Sequence, residues 1–179
     1  MIDLVKHPKE SIQLFLGLGS NIQPVYHLRE GLQALTDLLG NLTVSPIYES
    51  EPVGFSGPNF LNMVVGVKTE LSLDCILKAL RDIEVRYGRL PEIKKWSSRT
   101  LDIDVLLYGH QAGEICGIQL PRSDILECAF VLWPLADIAP DVQHPLAFDS
   151  FAALKSKQLL TQKLLLWGEV QRLFDTADS

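Results

Sequence analysis

The chain has 179 residues, 47% of them hydrophobic and 21% charged, with 16 Lys plus Arg set against 22 Asp plus Glu. A net charge of −6 argues against general affinity for nucleic acid or an anionic membrane surface. Three cysteines with no C-x-x-C spacing exclude a zinc ribbon and point to reduced thiols in a cytoplasmic protein rather than a disulfide framework. No apolar run reaches the length of a membrane span, and the polar, mixed-charge opening does not read as a signal peptide.

In chain order, residues 12–18 are apolar and run into Gly17-Leu18-Gly19-Ser20-Asn21, which predicts a buried strand entering a glycine-assisted turn. Leu28, Leu32, Leu35 and Leu39 recur at helical spacing, and Gly40-Asn41 is a stop signal. Residues 42–48 alternate as a second strand. A loop over residues 50–59 carries Pro52, Gly54, Gly57 and Pro58, and residues 60–69 form a third strand. Ser72 is a predicted N-cap for a helix to residue 86, with Leu73, Ile76, Leu77, Leu80 and Ile83 as its buried stripe.

A basic loop over residues 89–99 then leads into an apolar strand. The order to this point is β-α-β-β-α-β, the ferredoxin-like α+β pattern. Beyond Gly109, residues 114–120 suggest a hairpin arm, and residues 130–138 a short helix or turn ending before Pro140. Leu154, Leu159, Leu160, Leu164, Trp167, Val170 and Leu173 predict an amphipathic C-terminal helix. With no repeat and no linker, one domain over residues 1–179 is expected, its last part (151–175) a helical extension.

The chemistry concentrates in Arg99-Thr100-Leu101-Asp102-Ile103-Asp104-Val105-Leu106-Leu107. Residues i and i+2 of a strand share a face, so Asp102 and Asp104 project together while Leu101, Ile103 and Val105 face a core. Neighbouring carboxylates repel, and each is costly to desolvate alone. A Mg²⁺ ion shared with substrate phosphates relieves both costs. Arg89, Lys94, Lys95 and Arg99 stand just upstream as cations for such phosphates. The competing reading is a solvated pair on a strand surface. His27, His110 and His144 have no ligand partner at suitable spacing and read as surface residues.

Further motifs are Glu51-Pro52-Val53-Gly54, Phe60-Leu61-Asn62, Trp96-x-x-Arg99-x-x-Asp102-x-Asp104, Phe130-Val131-Leu132-Trp133-Pro134-Leu135 and Ile138-Ala139-Pro140. Together with Gly19-Ser20-Asn21, in this order, they resemble the 6-hydroxymethyl-7,8-dihydropterin pyrophosphokinase family of folate biosynthesis over residues 12–150. The resemblance implies a ferredoxin-like sandwich that moves the pyrophosphoryl group of ATP to the pterin hydroxymethyl, releasing AMP. It implies that Asp102 and Asp104 bind two Mg²⁺ ions and act in catalysis with Arg89 and Arg99. It assigns Ser50, Val53, Phe60, Asn62, Trp96 and Phe130 to the pterin. It assigns Glu84, Arg89, Lys95, Trp96 and Arg99 to ATP, and other folate-pathway enzymes become candidate partners.

Five departures stand out. Lys95 replaces a family arginine, Ser97-Ser98 replaces Gly-Pro, and Pro91 stands where another arginine is common. Pro121-Arg122 replaces Pro-His, and Cys128 stands where an arginine is expected, so Arg122 is a candidate substitute cation on the ATP side. A catalytically weakened pterin- or nucleotide-binding paralogue is the alternative reading. An RNA-binding ferredoxin-like module is disfavoured by the acidic charge and the missing paired aromatics.

Overall fold

The computed structural model describes residues 10–88, 98–158 and 162–175. Its first strand, β1 (Ile12–Ser20), lies inside the sheet and directs Leu14, Leu16 and Leu18 to one face and Phe15, Gly17 and Gly19 to the other. Helix α1 (Pro24–Leu39) follows, starting at a proline whose missing N–H costs nothing in a first turn. The next strand is broken into β2 (Thr43–Val44) and β3 (Ile47–Ser50), where residues 42–48 read as continuous. Pro46 has no N–H for a ladder, and Ser45 bonds across instead, its Oγ accepting from Val64 N at 2.9 Å.

Strand β4 (Phe60–Thr69) and helix α2 (Leu73–Arg86) come next. Ser72 caps α2 as its sequence position predicts, accepting from Cys75 N at 3.4 Å. Strand β5 (Asp102–Tyr108) then pairs with β1. The sheet order is β5-β1-β4-β3-β8 with antiparallel pairing throughout and β2 also on β4, so the first four positions reproduce the ferredoxin-like arrangement.

Strands β6 (Gly113–Ile115) and β7 (Ile118–Leu120) form the expected hairpin arm, turning through Cys116 and Gly117, both at positive φ. Helices α3 (Asp124–Glu127), α4 (Ala129–Ile138) and α5 (Phe151–Lys157) follow. The predicted C-terminal helix is not formed as one piece. Its middle is β8 (Leu164–Gly168), which pairs antiparallel with β3, and only α6 (Arg172–Asp175) is helical beyond it. A short run such as Leu164-Leu165-Leu166-Trp167 fits either period, and the open edge of β3, with backbone groups to satisfy, decides for strand.

The sheet is covered on both sides. On one, α1 and α2 bury Leu28, Leu32, Leu35, Ile76, Leu80 and Ile83 against the inward leucines and valines of β1, β4 and β5. On the other, α3, α4 and α5 pack Ile125, Leu132, Leu135 and Phe151 on Phe15, Val64, Leu106 and Leu107. A register shift in the β1–β5 ladder at Phe15/Leu16 lets both Leu106 and Leu107 join this second core. That core stops short of the Asp102 end of the sheet.

The surface reading fails for two of the three histidines. His27 and His144 are buried; His27 Nδ1 lies 2.6 Å from Ile22 O, and His144 Nδ1 accepts from Leu146 N and Ala147 N. Each ring organises a turn that offers backbone partners, which spacing along a chain does not reveal. Among the described residues no helix is long and apolar enough to cross a membrane.

Candidate active site

Asp102 and Asp104 do share a face, and their cross-strand neighbours are glycines: Asp102 lies opposite Gly19 and Asp104 opposite Gly17. On its other side Gly19 lies opposite Asn62, and Asn62 opposite Tyr48. A Cβ on Gly19 would stand 3.4 Å from Asn62 Oδ1, in the gap between amide and carboxylate. Leu106 packs over Gly17, and the bare Gly19 leaves a trough with the carboxylates on one bank and Asn62 on the other.

Cations line the carboxylate bank. Arg99 Nη1 is 2.9 Å from Asp102 Oδ1, and Arg122 Nη1 is 3.3 Å from Asp104 Oδ1. Arg122 also reaches Asp124 through Nε at 2.6 Å. Loss of water and the Asp102 charge push the Asp104 carboxyl up to about 7, with Arg122 pulling in the opposite direction. Such a pair asks for more positive charge than two arginines supply.

Cys128 offers none: burial, then the Asp124 and Glu127 charges, push its thiol up to about 11. Arg122 is thus a cation of this segment that does reach the carboxylates.

Glu84 is not a helix-surface carboxylate. It is 4% exposed, and its Oε1 accepts from Ile103 N, between the two aspartates, at 2.8 Å. It braces β5 from the α2 side. A buried acid answering a strand N–H has no periodic signature in sequence.

On the opposite bank Asn62 Nδ2 donates to Ser50 Oγ at 2.9 Å, both buried. Phe60, paired with Ser50 across β3 and β4, stands edge-on to Phe55 at 6.2 Å. Ser50, Val53 and Phe130 line a cavity of about 160 Å³ together with Glu51, Pro52, Gln162 and Lys163. The structure thus brings together Ser50, Val53 and Phe130 as one group, Phe60, Asn62 and Ser50 as a second, and Arg99, Asp102, Asp104 and Arg122 as a third. Arg89, Lys95 and Trp96 lie outside the described residues.

Sequence reasoning missed Asn21 as a working part, although it quoted the Gly19-Ser20-Asn21 motif. Buried Asn21 uses its whole amide: Oδ1 accepts from Arg99 N at 2.7 Å, and Nδ2 donates to Ser98 Oγ and Pro58 O, each at 3.1 Å. Its own N–H donates to Arg99 O at 3.1 Å. One side chain therefore pins the backbone of Arg99 and the loop preceding β4. Asn21→Ala is expected to cost about 2–3 kcal/mol, the penalty for orphaned buried polar groups, read from urea midpoints at constant m-value. Asn21→Asp, which keeps the acceptor for Arg99 N, should recover part of that loss.

The donor set suits magnesium. Asp102 and Asp104 offer hard oxygens only, on one face, with an open trough before them. Among the described residues no cluster of three or more His, Cys, Asp or Glu could hold a metal.

The model of the 7,8-dihydro-6-hydroxymethylpterin-pyrophosphokinase family matches residues 15–140. The 2-amino-4-hydroxy-6-hydroxymethyldihydropteridine pyrophosphokinase of Pseudomonas aeruginosa is 38% identical over 140 residues, covering 74% of this chain and 84% of that one. The enzyme of the same name from Haemophilus influenzae is 36% identical over 138 residues, covering 75% and 86%. Among solved structures, wild-type Plasmodium falciparum HPPK-DHPS superposes with a TM-score of 0.64 at 13% identity, over 84% of this chain and 45% of that longer one. At that identity the likeness speaks for the fold alone. The family match covers both strands of the carboxylate bank, the loop after β3 and the start of α4, and by it and its curated relatives this chain belongs to the 7,8-dihydro-6-hydroxymethylpterin-pyrophosphokinase family.

Proposed function

We propose that the trough transfers the pyrophosphoryl group of ATP to the hydroxymethyl oxygen of 6-hydroxymethyl-7,8-dihydropterin, releasing AMP. The observation that carries this reading is the juxtaposition across Gly19 of an oxygen-only carboxylate pair and a buried amide. Two strand spacings, roughly 10 Å, separate Asn62 from Asp102, room for a flat bicycle read at one end and reacting at the other.

Magnesium ions, two in this reading, would be held by Asp102 and Asp104, and when bound they neutralise and align the triphosphate. Arg99 and Arg122 supply the remaining positive charge as planar forks that stay charged at any working pH. Arg99 now bonds Asp102, so its guanidinium is already aimed at the place where phosphate oxygens arrive.

On the other bank, the Asn62 amide carries both a donor and an acceptor for the ring's polar edge, and Ser50 fixes its rotamer. Phe130 and Phe60 offer faces for stacking, and Val53 adds apolar area to the cavity wall. Little covalent work falls to the protein. Positioning and charge neutralisation carry the rate.

The test is AMP release from ATP, Mg²⁺ and the hydroxymethyl-dihydropterin, with each omitted in turn. Turnover that requires all three is expected. Pterin binding without AMP would instead identify a non-catalytic paralogue.

A further inference from the structure

The cavity wall contains two residues that no motif reached, Gln162 and Lys163, from the segment entering β8. Gln162 has a specific set of contacts. Its Oε1 accepts from Ala129 N, the first N–H of α4, at 3.2 Å, and its amide also hydrogen-bonds the Cys128 thiol. The N-cap of α4 is Cys128, whose side chain makes no capping bond. An acceptor from a distant segment thus serves a helix start that lacks its own.

Two residues further on, Leu164 pairs with Ser50 in the β3–β8 ladder. The segment 162–164 therefore bonds both walls of the cavity: the start of α4, which carries Phe130, and the end of β3, which carries Ser50. β3 and α4 are also tied by Tyr48, whose hydroxyl donates to Asp137 Oδ2 and whose ring stands edge-on to Trp133, but neither Tyr48 nor Asp137 lines the cavity.

We propose that Gln162 is a positioning residue for the pterin, holding Phe130 at a fixed separation from the Ser50–Asn62 wall. This rests on the pterin reading of the cavity. An aromatic face held at the right distance stacks at once, whereas a frayed first turn must be ordered on binding, and that ordering weakens affinity. Both contacts of Gln162 are with the start of α4, at Cys128 and Ala129, so its effect is expected on the pterin side.

The experiment compares the full chain with Gln162→Met and Gln162→Glu. Met keeps the length and removes the acceptor; Glu keeps the acceptor, now charged and favoured at a helix N-terminus. Steady-state kinetics should show KM for the pterin rising about tenfold in Gln162→Met, the worth of one hydrogen bond, with KM for ATP unchanged. Gln162→Glu should stay within about twofold of the parent. Equal KM values in Gln162→Met and the parent, a parallel rise in both KM values, or failure of Glu to rescue would each overturn the proposal.

Calorimetric binding of 6-hydroxymethylpterin, with Mg²⁺ and a non-hydrolysable ATP analogue, gives the same comparison without turnover. A parent that binds pterin but makes no AMP sinks the transferase reading while the Kd ratio still decides on Gln162. A parent that binds no pterin sinks both. Should Gln162→Met fail to fold, Gln162→Asn, which withdraws the acceptor by one methylene, takes its place with the same expected rise.

Discussion

Asp104→Ala is expected to lower pterin-dependent AMP formation by at least about a thousandfold, the scale of losing a preorganised electrostatic contact to a transferring phosphoryl group. The same change should leave the fold intact, because Asp104 sits at the edge of the trough and its strand neighbour is a glycine. A second readout separates function from structure. Burial and the neighbouring Asp102 charge push the Asp104 carboxyl up to about 7 in the fold, from the ordinary 3.8.

Between those two values the folded protein holds a proton that the unfolded chain has released. Stability of the metal-free protein therefore falls as pH rises from about 4 to about 7, by the linkage between proton binding and folding. Asp104→Asn removes that slope. The expected pattern is lost activity with a thermal midpoint that no longer declines across this window. A variant with full activity, or with the parental pH slope, would remove Asp104 from the role given to it. Magnesium added to the parent should also release a proton near neutrality, since the ion prefers the ionised carboxylate.

The second large effect is expected at Arg99. Its backbone is held by Asn21 independently of its side chain, so Arg99→Ala should preserve the loop while removing the guanidinium beside Asp102. A fall in kcat of about two to three orders of magnitude is expected. Arg99→Lys should fall between parent and alanine, because a point charge remains but the two-pronged geometry does not. Steady-state rates with saturating ATP and pterin decide. A kcat for Arg99→Ala within a few-fold of the parent would show that charge at this position is dispensable.

Much of this was open to reading in the sequence. The two carboxylates follow from strand period alone, and the β-α-β-β-α-β order follows from apolar spacing punctuated by Gly, Pro and an N-cap serine. What stayed hidden has a common physical cause. Glu84 is buried because a strand N–H in another element answers it, and His27 and His144 because backbone groups of their own turns do, and a partner's N–H or C=O leaves no mark on side-chain pattern. Arg122 reaches Asp104 only through the fold, eighteen positions of chain having turned back on themselves. The C-terminal strand was hidden for a different reason. Its four consecutive apolar residues suit either period, and the open edge that selects strand belongs to β3.

That strand also has a weak hold in the sheet. β8 has five residues, pairs through β3 alone among the described strands, and leaves Leu165 and Leu166 more than half exposed. Its pairing joins residues more than a hundred positions apart. Amide hydrogen exchange should accordingly find β8 opening at a lower free energy than β1, which is flanked on both sides. Each such opening parts Leu164 from Ser50 while Asp102 and Asp104, at the far edge, keep their frame. On the proposed reading, breathing of one short ribbon would thus loosen the wall assigned to the heterocycle and spare the carboxylates assigned to the nucleotide side.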